Sequence, residues 1–279
     1  MIEIKNIMKK YRNDLVAVND ITETMSKRVT TLIGRNGAGK TTLLRMLSTQ
    51  LMPTSGTAII NGYDIIKEPQ KVRNSIVSIP QEASPIGILT PYEQVRMYLI
   101  GRRFSLSDAS LAARQALETV GLESSMHFPA DTLSGGMKRK MFVAIALASN
   151  AEIVFLDEPT TGLDPLSRLE VWSAIKKLDG NILLTTHYME EAENLSDEVF
   201  LQDAGKIIES GTVKKLLKKF SGKIRVESQS PLDGSTMLGG MHILYDIVEN
   251  AEKHVKNGAN VKKITLDDLF IMRGVDLEY

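Results

Sequence analysis

Four short stretches of this 279-residue chain carry the residue types and spacings that can do chemistry. The first, Gly34-Arg35-Asn36-Gly37-Ala38-Gly39-Lys40-Thr41, fits GxxxxGK[ST] and is followed by Thr42. In that pattern the glycines let backbone N–H groups turn inward around phosphate oxygens, the lysine meets the outer phosphates, and the hydroxyl can ligate magnesium. The second, Ile153-Val154-Phe155-Leu156-Asp157-Glu158, sets two carboxylates at the end of an apolar run. Asp157 suits a magnesium ligand, and Glu158, one residue on, could polarise an attacking water as general base. Adjacent carboxylates usually mark a solvated turn, but four apolar residues before them and Pro159 after them favour a site. The third, Thr186-His187, ends an apolar run in the same way. His187 could donate to a γ-phosphate or be structural. Gln81, after Ile79-Pro80, is a common strand-end residue on its own. The fourth, Leu133-Ser134-Gly135-Gly136-Met137, opens a helix with Ser134 as cap and Lys138, Arg139 and Lys140 in its first turn, where the macrodipole disfavours cations unless an anion is bound. It reads equally as a second phosphate cradle or as an N-cap with a solvated basic face. One lysine-bearing loop and one lysine-free cradle in a single chain suit a symmetric pair, each cradle closing over the other copy's nucleotide.

The elements that must position these residues are legible as an α/β pattern. Short β-rich runs occur at residues 2–4, 17–25, 29–33, 57–61 and 75–79, with a helix at 39–51. The GxxxxGK[ST] loop therefore lies between a strand and a helix N-terminus, where its mechanism needs it. From about residue 91 to 148 the pattern is helical (92–102, 107–120, 137–148), an insertion in the α/β core. A strand at 153–156, a helix at 166–178 and a strand at 182–186 then argue a parallel sheet. The unbroken apolar run at 153–156 suits a strand covered on both faces. Residues 199–202 and 206–209, joined across Asp203, Ala204 and Gly205, read as a hairpin. Beyond Gly222 come a strand at 223–227, a Gly-rich turn at 234–240 and a last helix, with Thr265 and Asp268 as a capping box, Leu266, Leu269 and Phe270 as its face, and Gly274 as its end.

Composition narrows the possibilities. Lys plus Arg (34) equals Asp plus Glu (34), so no overall positive field would hold the chain on nucleic acid or anionic lipid. The absence of cysteine excludes a disulfide scaffold, a thiol nucleophile and a thiolate metal site. His127, His187, His242 and His254 show no metal-ligand spacing. No apolar stretch approaches the ~20 residues of a membrane-spanning helix. Lysines interrupt the N-terminus where a secretory signal would be apolar. The expectation is a soluble cytoplasmic chain.

Taken together the motifs resemble the ATP-binding subunit of an ABC transporter. GRNGAGKTT resembles that family's Walker A, SIPQE its Q-loop with Gln81, LSGGMKRK its signature, IVFLDEP its Walker B, TTGLDP its D-loop with Asp164, and TTH its switch histidine, His187. They cover residues 1 to about 220 in the family's order. Tyr11 stands where the family stacks an aromatic on adenine. The resemblance implies a RecA-like P-loop NTPase core, with a mostly parallel sheet, an N-terminal antiparallel β subdomain and a helical subdomain inserted at about 83–150. A small α+β extension at 221–279 follows the ATPase domain at 1–220. It implies ATP and Mg2+ as cofactors, with Thr41, Gln81 and Asp157 at the metal. Lys40, Gln81, Glu158 and His187 become the catalytic set, and Ser134, Gly135, Gly136 and Asp164 contacts across a head-to-tail dimer. LSGGMKRK, EPTTGLDP and the closing ITLDDLFIMRG look like the stand-alone ATPases of daunorubicin-resistance-type and sodium-extrusion-type exporters. Two features depart from the family: MSKRVTTLIG lacks the usual Gly-Glu, and Arg35 stands where proline is common. Residues 222–259 match nothing in it.

The implied function is an ATP-hydrolysing motor, a homodimer or paired with a second ATPase subunit, driving a separate transmembrane permease and peripheral on the inner face of the cell membrane through it. The partner would dock on residues 82–103, including Ile88, Leu89, Tyr92, Tyr98 and Leu99, unless these are core. The alternatives are a soluble ABC ATPase acting on nucleic acid or ribosomes, and an ATP-binding switch without turnover. A single cassette, a short span between Gln81 and Ser134 and few aromatics oppose the first. The joint presence of Lys40, Asp157, Glu158 and His187 opposes the second.

Overall fold

The structure is a computed structural model and describes residues 1–12 and 14–272. In chain order its first elements are β1 (Ile2–Lys10), β2 (Val16–Met25), β3 (Val29–Ile33), α1 (Lys40–Leu47), β4 (Ser55–Ile60), β5 (Tyr63–Asp64), α2 (Pro69–Ser75) and β6 (Ile76–Ile79). Three helices follow, α3 (Pro91–Gly101), α4 (Leu106–Thr119) and α5 (Gly135–Ala148). The chain then returns through β7 (Ile153–Asp157), α6 (Pro165–Ile175), β8 (Asn181–Thr186), α7 (Met189–Leu195), β9 (Glu198–Asp203) and β10 (Lys206–Gly211). By backbone contacts it divides into two compact units, Met1–Glu209 and Ser210–Tyr279.

The first unit is built on a sheet in the order β10-β9-β3-β8-β7-β6, in which β3 runs parallel to β8 and β9, and β7 parallel to β6 and β8. The apolar run of β7 is unbroken because its faces alternate between two cores. Ile153 and Phe155 join the core of α1 and an antiparallel sheet (β2-β1-β4-β5), while Val154 and Leu156 join the core of α3 to α6. Two capping side chains start the inserted helices. Thr90 and Glu93 form a reciprocal capping box on α3, and Ser105 caps α4 by accepting from the Asp108 N–H. Leu99 is 0% exposed, at the centre of this helical core, whereas Ile88 is 83% exposed and Met97 stands free on the outer face of α3. Of the apolar residues expected at a docking face, Leu99 thus belongs to the core. Leu89, Tyr92 and Tyr98 are half-buried.

Several local expectations shift. The helix begun at Lys40 ends at Leu47, short of residue 51, because Ser48 leaves helical geometry and Thr49 turns left-handed at φ 62°. Helices α2 and α7 went unread in the sequence, each being only 7 residues and too short to show a period.

The second unit holds α8 (Val213–Leu217), β11 (Lys223–Ser228), β12 (Thr236–Leu238), β13 (Met241–Ile247), α9 (Ala251–Lys256), β14 (Asn260–Lys262) and α10 (Asp267–Met272). Its strands form an antiparallel sheet, β12-β13-β11-β14. The segment expected as a Gly-rich turn contains β12, which folds back on β13 across Gly239 and Gly240, both at positive φ. Asp268 accepts from the Thr265 N–H at 2.7 Å, one half of the expected capping box, and is drawn inward to Arg225 and to the Tyr245 hydroxyl. The expected helix end at Gly274 lies outside the described residues.

Candidate functional site

Parallel register decides where the chemistry gathers. Ile33 pairs with Thr186, Leu156 with Leu184 and with Ile79, so the residues following β3, β6, β7 and β8 all emerge at one edge of the sheet. There, Tyr11, Asn36, Gly37, Ala38, Gly39, Lys40, Thr41, Thr42, Gln81, Glu158 and His187 line one cavity of about 610 Å³. Of the expected nucleotide-loop residues, Gly34 and Arg35 lie behind its wall. Ser134, Gly135, Gly136 and Asp164 lie outside it.

The loop is shaped by close approach. Gly39 adopts φ 100°, and a Cβ on it would stand 2.0 Å from the Ala17 carbonyl oxygen. The Lys40 ammonium is folded back along the loop, donating to the carbonyls of Gly34 (2.8 Å) and Arg35 (3.0 Å) and lying 3.6 Å from Glu158 Oε1. Burial lowers its pKa, and the charges of Glu158 and Asp157 counter that. Tyr11 stands at the mouth with its hydroxyl 3.4 Å from that of Thr42.

Alternation along β7 puts Asp157 on the same face as Phe155, toward α1. Its Oδ1 accepts from Thr41 (3.0 Å) and from Thr185 (2.6 Å). Its Oδ2 is buried with no hydrogen-bond partner. Desolvation raises its pKa, with the Thr185 and Thr41 bonds opposing. A buried, half-satisfied carboxylate beside a threonine hydroxyl is an oxygen set that fits a hard divalent cation. The strand of Asp157 is not the immediate neighbour of β3. β8 lies between them, and Thr185 bridges the gap.

Glu158 would face away from Asp157 if the strand continued. Instead it takes a left-handed φ of 46°, held by the bonds from its N–H to the Thr185 carbonyl (3.1 Å) and hydroxyl (3.0 Å). The turn brings its carboxylate over the loop, where Oε2 meets His187 Nδ1 (3.0 Å), the Thr161 hydroxyl (2.9 Å) and Gln81 Nε2 (3.4 Å). Burial pushes this carboxyl up, but the bonds from His187 and Thr161 and the charge of Lys40 outweigh it. Its pKa falls below the ordinary glutamate value, leaving an ionised group able to accept a proton.

The glycine-rich turn before α5 is organised differently from the lysine-bearing loop. Ser134 caps α5 through the Met137 N–H (3.2 Å), and Gly136 packs against Ser167 of α6, whose own cap is Asp164. Two of the three cations expected to invite a phosphate there are engaged elsewhere. Arg139 donates to the Gln81 carbonyl at 2.8 Å, and Lys140 pairs with Glu170 at 3.0 Å. Sequence reasoning missed Thr161, Thr185 and Arg139 as partners of the site. Threonines beside the two motifs were the available signal for the first pair, while Arg139 reaches Gln81 only through helix packing.

The protein-family model described as ABC transporter matches residues 18–161. The doxorubicin resistance ATP-binding protein DrrA of Mycobacterium tuberculosis is 40% identical over 222 residues, 77% of this chain and 66% of that one. The chain thus spans just under two thirds of that relative. Nod factor export ATP-binding protein I of Cupriavidus metallidurans is 34% identical over 293 residues, 97% of this chain and 96% of that one. Among solved structures, a dimeric ATP-binding cassette in a post-hydrolysis state, bound to ADP and Pi, superposes with a TM-score of 0.69 at 25% identity, covering 76% of this chain and 98% of that one.

Proposed function

The chain belongs to the ABC transporter family, and on that basis we propose that it is the ATP-hydrolysing motor subunit of a membrane exporter, acting on a separate membrane-spanning partner. Among the described residues no helix is long and apolar enough to cross a membrane. The observation that carries the reading is Glu158, an ionised carboxylate turned over the phosphate loop and in contact with Lys40, His187 and Gln81 at once.

In this reading Tyr11 packs on the adenine, and the N–H groups of residues 36–42 and the Lys40 ammonium surround the phosphates. Thr41 and Asp157, with Gln81, would hold magnesium, which when bound would neutralise phosphate charge at the γ-phosphoryl group. Glu158 takes a proton from water as the water oxygen bonds to the γ-phosphorus. The bond from that phosphorus to the bridging oxygen breaks, and ADP keeps the bridging oxygen. His187, beside Glu158, donates to the transferring group. Ser134, Gly135, Gly136 and Asp164 lie outside the cavity, so they meet nucleotide only on another subunit, either a second copy or a related ATPase. The names of the relatives favour export as the direction, and the exposed side chains of Ile88 and Met97 offer a docking face to the permease, which would hold the chain at the inner face of the membrane.

The test is Glu158→Gln. It should bind ATP, lose turnover by about 10²- to 10⁴-fold as expected for removal of a general base, and elute as a dimer on a sizing column with ATP. Turnover at the wild-type rate would overturn the assignment.

A further inference from the structure

Glu191, on α7, is 0% exposed, yet the phosphate site makes no use of it. Its Oε1 accepts from the Thr160 hydroxyl at 2.8 Å and from Trp172 Nε1 at 2.9 Å, and the Thr186 side chain also stands against the carboxylate. Burial pushes its carboxyl up, with Thr186, Thr160, Trp172 and the charge of Arg168 pulling the other way. These groups come from separate segments. Thr160 lies two residues beyond Glu158, Thr186 directly precedes His187, and Arg168 and Trp172 belong to α6. Arg168 also stacks 4.0 Å from the centre of the Tyr188 ring, against which the His187 ring packs at 4.1 Å.

A fully buried carboxylate is a costly choice for a purely structural link, since an apolar side chain of similar volume would fill the space without desolvating a charge. What the carboxylate does is join two loops that leave adjacent strands. One carries Glu158 at a left-handed φ that its surroundings must enforce, and the other carries His187. We propose that Glu191 is a positioning residue that sets the Glu158–His187 contact by anchoring the Glu158 loop, through Thr160, to the helix that follows His187. The proposal rests on Glu158 acting as the general base.

Three variants of the full chain separate positioning from packing. Thr160→Val removes the link to the Glu158 loop and nothing else polar. It should cut kcat about tenfold with the Kd for ATP within twofold of wild type. Trp172→Phe removes the other donor to the same oxygen, leaves the link intact, and should keep kcat within twofold. Glu191→Gln, which retains an acceptor oxygen, should stay within threefold, whereas Glu191→Leu should match Thr160→Val. Should Glu191→Leu fail to fold, the Thr160 and Trp172 variants still decide. Wild-type kcat in Thr160→Val, equal losses in Thr160→Val and Trp172→Phe, or ATP affinity falling in step with kcat would each overturn the proposal. An inactive Glu158→Gln beside a fully active Thr160→Val would overturn only the role of Glu191. An active Glu158→Gln would overturn the base assignment beneath it.

Discussion

Gly136→Ala probes whether the first turn of α5 is glycine because α6 comes so close. A Cβ at Gly136 would stand 2.8 Å from both Cβ and Oγ of Ser167. Ser167 Oγ can rotate away, but its Cβ is fixed to the backbone of α6, so α6 or α5 must move. Overpacking of this kind costs about 1–3 kcal/mol. In a domain of this size that lowers the melting midpoint by roughly 2–12 °C, at about 2–4 °C per kcal/mol. Ser167→Gly removes both clashing atoms and by itself costs about 0.5–1 kcal/mol through backbone entropy. The double variant should therefore be about as stable as Ser167→Gly alone, a coupling of about 1–3 kcal/mol in a double-mutant cycle. Trp172, the only tryptophan, is buried on α6 in the same unit, so urea unfolding followed by its fluorescence reads this packing directly. Additive effects, within about 0.5 kcal/mol, would refute the close-approach argument. If Gly136 also faces nucleotide on another subunit, turnover stays low in the double variant although stability returns.

Asp157→Asn should abolish turnover yet raise the melting midpoint at pH 7. The sign follows from the raised carboxyl of Asp157: the folded state disfavours its ionised form, so the cost is present at neutral pH and disappears as pH falls toward the unfolded value of about 3.9. An unchanged midpoint at pH 7 counts against it. Asp246 has the opposite sign. The bond from His254, then those from the Ile247 N–H and Asn250, hold its carboxyl below the usual range, so its contribution is present above about pH 3.9 and lost below. Asp246→Asn should melt earlier than wild type at pH 6, with the gap closing toward pH 3. Ile88→Asp should leave basal ATP hydrolysis intact and abolish its stimulation by the membrane partner in reconstituted vesicles. A parallel loss of basal activity would make Ile88 structural.

The chemistry of this chain was legible because it is written in contiguous residues. A glycine-rich loop between a strand and a helix, two carboxylates after four apolar residues, and a histidine after another apolar strand need only local geometry to be recognised. The unbroken apolar run of β7 likewise announces a strand with two covered faces. The same reading could not show that β8 separates β7 from β3, because strand order depends on crossovers and not on neighbouring residues. Nor could it show that Arg139 and Lys140 are drawn to Gln81 and Glu170, or that Leu99 on α3 is core while Ile88 in the turn before it is bare, since an apolar residue's type does not say what covers it.

The residue types that bind phosphate, hold a cation and accept a proton were determined by the sequence alone, since each role belongs to a functional group and a short spacing. Their assembly into one site was decided by the tertiary structure. Parallel register brings four strand ends to a single edge, and a left-handed turn at Glu158 reverses the alternation that would have sent its carboxylate to the far face. A buried Glu191 then links loops whose residues lie far apart along the chain. Those outcomes depend on packing and pairing between distant segments, a kind of information no local pattern contains.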